Sequence, residues 1–227
     1  MPTAALFPSP LGPIVLEAQA AGLSGLYFLD QPDAPAVSKA QLNALPDFQA
    51  EQPLGAQALV WLTPSPTAAS QKLALATNET AASSLKCALK HAVSGSVAQP
   101  EASLPPEAES ERSIICWAAD QLAEYFAGQR QNFDLPIVLV SGTAFQNRIW
   151  TALQTIPYGQ TLSYAQLACS AGFTPQHSRP VGTAVGRNPI TIILPCHRVV
   201  GSDGTLHGYT GGLHRKQYLL QLEGAPT

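Results

Sequence analysis

The stretch Ile193-Leu194-Pro195-Cys196-His197-Arg198-Val199-Val200 sets a thiol, an imidazole and a guanidinium side by side within an otherwise apolar run. Aliphatic neighbours on both sides predict burial, and burying polar groups without partners is costly. The trio is therefore either tied into a local network or exposed for a purpose. A cysteine attacks only as its thiolate, which needs a positive or hydrogen-bonding neighbour. His197 is the obvious candidate base. Adjacent side chains on an extended strand point to opposite faces, so contact between Cys196 and His197 needs a bent backbone or a bridging water. The competing reading is a buried structural cysteine, the usual state of a free thiol.

Around this stretch the second half of the chain reads as short helices. Thr143 and Gln146 have capping-box spacing ahead of a helix from about Ala144 to Thr155, with Phe145, Ile149, Ala152 and Ile156 as its apolar stripe. Ser163 and Gln166 repeat the capping box for a short helix that stops at Gly172, and Ser178 can cap a third, to about Arg187. Two short helices joined by a turn, with an arginine opening the second, suggest a helix-turn-helix. Asn188-Pro189 ends that helix as an Asn-Pro turn. Gly201-Ser202-Asp203-Gly204 is a turn, and a last helix spans Leu213 to Leu222. Glu223 then sits at a helix C-terminus, where the dipole disfavours a carboxylate. An acid kept there needs a partner, and His197 is a reasonable one.

Pro195-Cys196-His197-Arg198-Val199 resembles the active-site signature of the methylated-DNA–protein-cysteine methyltransferases, the O6-alkylguanine-DNA alkyltransferases. Further matches at compatible spacing support the resemblance: Ser9 to Gly12 in the N-terminal part, Arg179-Pro180-Val181-Gly182 and Tyr209-Thr210-Gly211-Gly212. The resemblance implies an α+β fold. A small N-terminal antiparallel β-sheet domain with a helix (ribonuclease H-like) precedes a mostly helical C-terminal domain containing the helix-turn-helix. It implies single-turnover transfer of an alkyl group from O6-alkylguanine, with O4-alkylthymine as a further candidate, to Cys196. Glu223 would orient His197, completing a Cys–water–His–Glu relay, and Asn188 would be the hinge. Tyr164 would donate a proton to the leaving guanine. Arg179 would enter the base stack from the minor groove as the nucleotide flips out. Tyr209 and Thr210 would form the pocket wall, the carbonyls of Cys196 and Val199 would read the exocyclic amine, and Ser178 and Ser202 join the DNA or substrate contacts. Pro180 stands where the family has alanine, which a helix's first turn tolerates. The implied partner is double-stranded DNA carrying alkylated bases, bound by a monomer without metal or organic cofactor. Some relatives hold zinc in the N-terminal domain, but no cysteine precedes Cys87 here. Rival readings are a non-enzymatic lesion-binding protein of the same fold, a cysteine hydrolase, and a transcriptional regulator. The presence of Cys196 argues against the first. The lack of a glycine-rich oxyanion turn before it argues against the second, and the lack of a second DNA-binding domain against the third.

Before Ser141 the chain changes character. Leu11 to Glu17 and Gly22 to Leu29 are short apolar runs broken by Gly and Pro, which predicts a sheet of about three strands. Residues 31 to about 110 are rich in Ala, Ser, Pro and Gln. Structureless loops beyond about 12–15 residues are uncommon in compact domains, so this segment reads as an insertion within a supporting domain over 1–135. Leu59 to Leu62 and Leu85 to Val93 are apolar enough for local structure. A helix follows from Glu111 to Gln129, with Ile115, Ala119, Leu122 and Phe126 at helical spacing. The DNA-binding and alkyl-acceptor domain is placed at 141–227.

Net charge is −3, but it divides unevenly. From Ser141 on, six bases face two acids, an excess of +4, whereas the first 140 residues hold six bases and thirteen acids, or −7. The positive half is the half that carries Cys196, where phosphate contacts would be useful. No apolar run approaches the roughly 20 residues of a membrane span. Met1 to Pro10 lacks a signal-peptide pattern. Four cysteines without CxxC spacing read as free thiols in a reducing compartment. A soluble, cytoplasmic protein is expected.

Overall fold

The computed structural model describes residues 3–31, 34, 37, 39–44, 55–62 and 111–226. Strands β1 (Thr3–Phe7), β2 (Ile14–Gln19) and β3 (Gly22–Phe28) form an antiparallel meander. The β1–β2 turn closes through the Gly12 amide on the Ser9 carbonyl (3.1 Å) and the Ser9 hydroxyl on the Gly12 carbonyl (2.6 Å). After a short helix α1 (Lys39–Asn43), a fourth strand β4 (Val60–Leu62) pairs antiparallel with β1, so the sheet order is β3-β2-β1-β4. Three strands were expected. The fourth lies inside the presumed insertion, and its three residues carry too little period-2 pattern to reveal a partner more than fifty residues away. The apolar run Leu85 to Val93 lies outside the described residues.

Helix α2 (Glu111–Phe126) lays Ile114, Ile115, Ala118, Leu122 and Tyr125 on the sheet, and their burial supplies much of its stability. The remaining helices are α3 (Ala144–Leu153), α4 (Tyr164–Ser170), α5 (Ser178–Gly186) and α6 (Leu213–Leu222). Both capping boxes, Thr143 with Gln146 and Ser163 with Gln166, are formed. Ser178 does not cap α5. A 3-10 turn over Pro175–His177 runs into the helix, so Ser178 is its first helical residue and His177 sits at the cap without a side-chain bond. Pro180 falls in the first turn of α5, where no amide partner is lost. The Trp150 indole donates to the Ala184 carbonyl (2.8 Å), tying α3 to α5. A two-residue parallel ladder, β5 (Leu162–Ser163) with β6 (Val199–Val200), was not foreseen.

The main apolar core runs from the sheet through α2 to α3, α4 and α5 and reaches Cys196, with a small second cluster of Val200, Leu220 and Ala225. The outer edge of β3 is covered by later chain. The Leu23 amide bonds the Pro136 carbonyl (2.8 Å), and the Leu26 amide bonds the Pro189 carbonyl (2.9 Å). The Thr191 amide returns to the Leu26 carbonyl (3.1 Å). The N-terminal sheet thus grips the backbone five residues before the reactive stretch.

Candidate active site

Cys196 is not on an extended strand. Residues Cys196–Arg198 form a 3-10 turn, with Pro195 ahead of it at φ −77°, ψ 64°, the inverse γ-turn conformation. The Cys196 amide closes that turn on the Leu194 carbonyl at 2.7 Å. Upstream, Ile192 has φ +71°, a strained value for a β-branched residue, in a stretch buried from Asn188 to Gly201. The bend lets Cys196 meet Asn188 while both His197 and Arg198 reach Glu223, although adjacent side chains on an extended strand point to opposite faces.

The Cys196 thiol is 3 % exposed and accepts a hydrogen bond from Asn188 Nδ2 at 3.0 Å. The same amide donates to the Leu194 carbonyl (2.7 Å), and Asn188 Oδ1 accepts from the Ile190 amide (3.0 Å). Asn188 therefore fixes both the sulfur and the backbone leading to it. Burial pushes the Cys196 thiol up to about 11, against the opposing pull of the Asn188 bond and the Lys216 charge. The resting group is a protonated thiol.

His197 is fully buried, with Nε2 2.9 Å from Glu223 Oε1 and Nδ1 without any partner. Burial lowers its pKa, although Glu223 opposes the shift, so the imidazole is neutral near pH 7. Its Nε2–H then faces the carboxylate, leaving Nδ1 as an unoccupied proton acceptor. No hydrogen bond joins His197 to Cys196 among the described residues.

Glu223 is the hub. Arg198 donates to both oxygens, Nε to Oε2 and Nη2 to Oε1, each at 2.9 Å, and its Nη1 donates to the Ile156 carbonyl at 2.6 Å. The Tyr125 hydroxyl donates to Oε1 at 2.7 Å and the Gly159 amide to Oε2 at 3.2 Å. Burial alone would raise this carboxyl, but the bonds from His197 and Arg198 together outweigh it and hold it well below the ordinary range. Gly159 sits at φ +71°, and a Cβ there would lie 2.9 Å from the Glu223 carbonyl, so this turn needs glycine.

On the other side of the thiol, Lys216 is fully buried. Its Nζ donates to the Val199 carbonyl (2.5 Å) and the His207 carbonyl (2.9 Å). Burial lowers it to about 8, with Cys196 pulling the other way. The Tyr209 hydroxyl is buried beside Cys196, and burial and that neighbour hold it protonated, well above 10. Tyr164 opens α4, with its hydroxyl 3.4 Å from the His207 carbonyl, and is likewise raised by burial and by Cys196. The Thr210 hydroxyl donates to the Gly186 carbonyl. A cleft of about 260 Å³, lined by residues that include Tyr27, Gln31, Arg187, Asn188 and Thr210, meets the site at Asn188 and Thr210.

The structure thus gathers Cys196, His197, Glu223, Asn188, Tyr164 and Tyr209, with the Val199 carbonyl held by Lys216. Arg179 is exposed and Ser178 half-buried at the start of α5, and Ser202 is exposed in the turn after β6. Arg198, Tyr125 and Lys216 were missed. Arg198 lies within the motif itself but was given no role of its own, whereas Tyr125 lies in α2 with nothing local to mark it. The basic excess also needs correcting. Arg198, Arg215 and Lys216 are internal, leaving Arg148, Arg179 and Arg187 as the exposed cations of this half.

Comparison with known proteins points to one family. The family described as "6-O-methylguanine DNA methyltransferase, DNA binding domain" matches residues 144–225. The methylated-DNA–protein-cysteine methyltransferase of Mycolicibacterium paratuberculosis is 55% identical over 106 residues, covering 47% of this chain and 63% of that protein. Its namesake in Methanosarcina acetivorans is 50% identical over 108 residues, covering 48% of this chain and 68% of the relative. The chain thus spans a little under two thirds of the length of the mycobacterial relative. Among solved structures, Mycobacterium tuberculosis O6-methylguanine methyltransferase superposes with a TM-score of 0.60 at 31% identity, over 100% of this chain and 96% of that one. The M. tuberculosis OGT in complex with DNA gives 0.60 at 32% identity, over 97% and 93%.

Proposed function

The chain belongs to the methylated-DNA–protein-cysteine methyltransferase family, and we propose that it repairs DNA by moving an alkyl group from O6 of guanine to the sulfur of Cys196. One observation carries this reading. A buried thiol, bonded to Asn188, lies next to a neutral imidazole whose Nδ1 is free and whose Nε2 is held by an ionised Glu223. In the reaction a water passes the thiol proton to His197 Nδ1, Sγ forms a bond to the alkyl carbon, and the C–O6 bond breaks. The departing guanine takes a proton from Tyr164. The imidazolium formed is stabilised by Glu223, which Arg198 and Tyr125 keep in place. The thiol is poised rather than pre-ionised, which protects it from adventitious alkylators until a base fills the pocket and the relay engages.

The product is a thioether without a carbonyl for water to attack, so the protein acts once. The target base must leave the stack, at a cost of a few kcal/mol. Arg179, at the exposed start of α5, fills the vacancy from the minor groove, and α4 with α5 acts as a helix-turn-helix. Ser178 and Ser202 contact DNA or substrate, Tyr209 and Thr210 wall the base pocket, and the Val199 and Cys196 carbonyls read the exocyclic amine. The N-terminal sheet with α2 is ribonuclease H-like and supports the acceptor domain at 141–227. The protein works as a cytoplasmic monomer.

Intact-protein mass after incubation with an O6-methylguanine oligonucleotide tests the proposal. A gain of about 14 Da, the mass of one methylene, saturating at one per chain and absent in Cys196→Ala, is the expected outcome. Lesion binding without any mass change would replace it with the non-enzymatic reading.

A further inference from the structure

Arg215 is counted among the cations of the acceptor half, yet it faces inward and spans both halves of the chain. Its Nε donates to the Leu11 carbonyl (2.9 Å) in the β1–β2 turn. Its Nη1 donates to both Asp30 oxygens (2.7 and 3.0 Å) and to the Gly211 carbonyl (2.7 Å). The guanidinium carbon stacks 4.4 Å above the Phe28 ring. The bond to Arg215 also holds the Asp30 carboxyl below its ordinary value. Three of these partners, Leu11, Phe28 and Asp30, belong to the N-terminal sheet and its turns. The fourth, Gly211, adjoins Tyr209 and Thr210. Gly211 itself is wedged, since a Cβ there would lie 2.7 Å from the Tyr209 ring and 2.8 Å from Phe28.

The same corner of the sheet also grips part of the cleft. Leu26 holds Pro189 and Thr191, while Tyr27 and Gln31 line the same cleft as Pro189 and Thr210. The Gln31 carboxamide is itself pinned, accepting the Phe28 amide at 2.7 Å. The Pro189–Thr191 and Tyr209–Gly212 segments therefore both take their position from residues 26–31, one through backbone bonds and one through Arg215.

We propose that Arg215, clamped by Asp30, is a positioning residue that uses the N-terminal sheet to set the width of the base pocket through the Tyr209–Gly212 segment. The N-terminal region is then part of the specificity apparatus for the flipped base and not only a support. This rests on the reading of Tyr209 and Thr210 as the pocket wall. A guanidinium is required because one planar fork reaches Leu11, Asp30 and Gly211 together, which an ammonium cannot do. The clamp touches neither Cys196 nor the His197–Glu223 pair, so its loss changes how a base is held and leaves the sulfur chemistry alone.

The test compares the unmodified chain, Asp30→Ala, Arg215→Lys and Arg215→Met in single-turnover methyl transfer from duplex DNA carrying O6-methylguanine. Asp30 has a mostly exposed side chain (64%), so its truncation opens no cavity, and a circular dichroism melt run alongside checks that the fold is kept. The half-saturating DNA concentration should rise about two- to fivefold in Asp30→Ala, the range that a partly exposed ion pair supports. It should rise roughly tenfold or more in the Arg215 variants, with Lys no better than twofold above Met. The maximal rate and the iodoacetamide labelling rate of Cys196 should stay within about twofold of the unmodified chain. Without DNA, hydrogen exchange at the Gly212 amide, which bonds the Tyr209 carbonyl at 2.8 Å, should accelerate in Asp30→Ala. A lower maximal rate with unchanged half-saturation, or unchanged Gly212 exchange, overturns the clamp. Absence of transfer by the unmodified chain overturns the proposed reaction, and Gly212 exchange then still decides whether the clamp exists.

Discussion

Replacing Glu223 with Gln perturbs the site at its hub while keeping its shape. Five donors converge on this carboxylate, two from Arg198 and one each from His197, Tyr125 and the Gly159 amide. Glutamine offers a single acceptor oxygen, and its NH2 must then face a donor. Arg198, 6 % exposed, is left as a buried charge without its counter-ion. Removing one partner of a buried ion pair costs roughly 3–5 kcal/mol, a large share of the roughly 5–15 kcal/mol that holds a domain together. For a chain of this size each kcal/mol moves Tm by about 2–4 °C, so Glu223→Gln should melt roughly 6–20 °C lower. Circular dichroism melts and urea titrations measure it. Arg198→Met combined with Glu223→Gln should lose clearly less than the sum of the two single variants, because the second change removes the stranded charge. The pH dependence has a definite sign. Glu223 sits below its ordinary value of 4.5 in the folded state, so its contribution is complete above that pH and is lost as pH falls. The gap between the two proteins should therefore narrow below pH 4.5. A loss under about 1 kcal/mol for Glu223→Gln, or additive single-variant losses, would refute the assignment of Glu223 as a buried charge hub.

The remaining predictions concern the thiol and its neighbours. Iodoacetamide labelling of Cys196, followed by mass spectrometry with the other cysteines replaced by serine, should rise with pH to a midpoint near 11; a midpoint at or below 9 contradicts the buried-thiol description. Methyl transfer should be level from pH 8 down to about 6.5 and fall in more acid solution, because transfer needs neutral His197 and burial keeps its pKa below 6.5; a decline that begins above pH 7 rules this out. Tyr125→Phe removes one hydrogen bond to a buried carboxylate and should cost about 1.5–3 kcal/mol in urea unfolding, with a neutral result showing that Oε1 is satisfied without it.

The chemistry of the site was legible in the sequence because it is concentrated in a few adjacent residues. The Pro195 to Val199 motif names the nucleophile, and Glu223 is conspicuous as an acid where a helix end repels one. The capping boxes at Thr143 and Ser163 fixed two helix starts because side-chain caps act over three residues, within reach of any local reading. The limits of Leu213–Leu222 followed in the same way from the glycines and Glu223 that bound it. Strand β4, by contrast, is decided by pairing with β1 across a long stretch of chain, and three residues hold no register of their own. The bend at Ile192 to Arg198 is a tertiary outcome too, since local preference favours an extended run for these β-branched residues and the packed core overrides it. Tertiary structure alone turned Arg215 and Lys216 from surface charge into internal donors and gave Arg198 its carboxylate, because an ionised side chain can be buried only where carboxylates and carbonyls from distant segments converge on it. The sequence by itself determined which atoms can react; the fold decided which charges serve them, since that depends on contacts between residues up to two hundred positions apart.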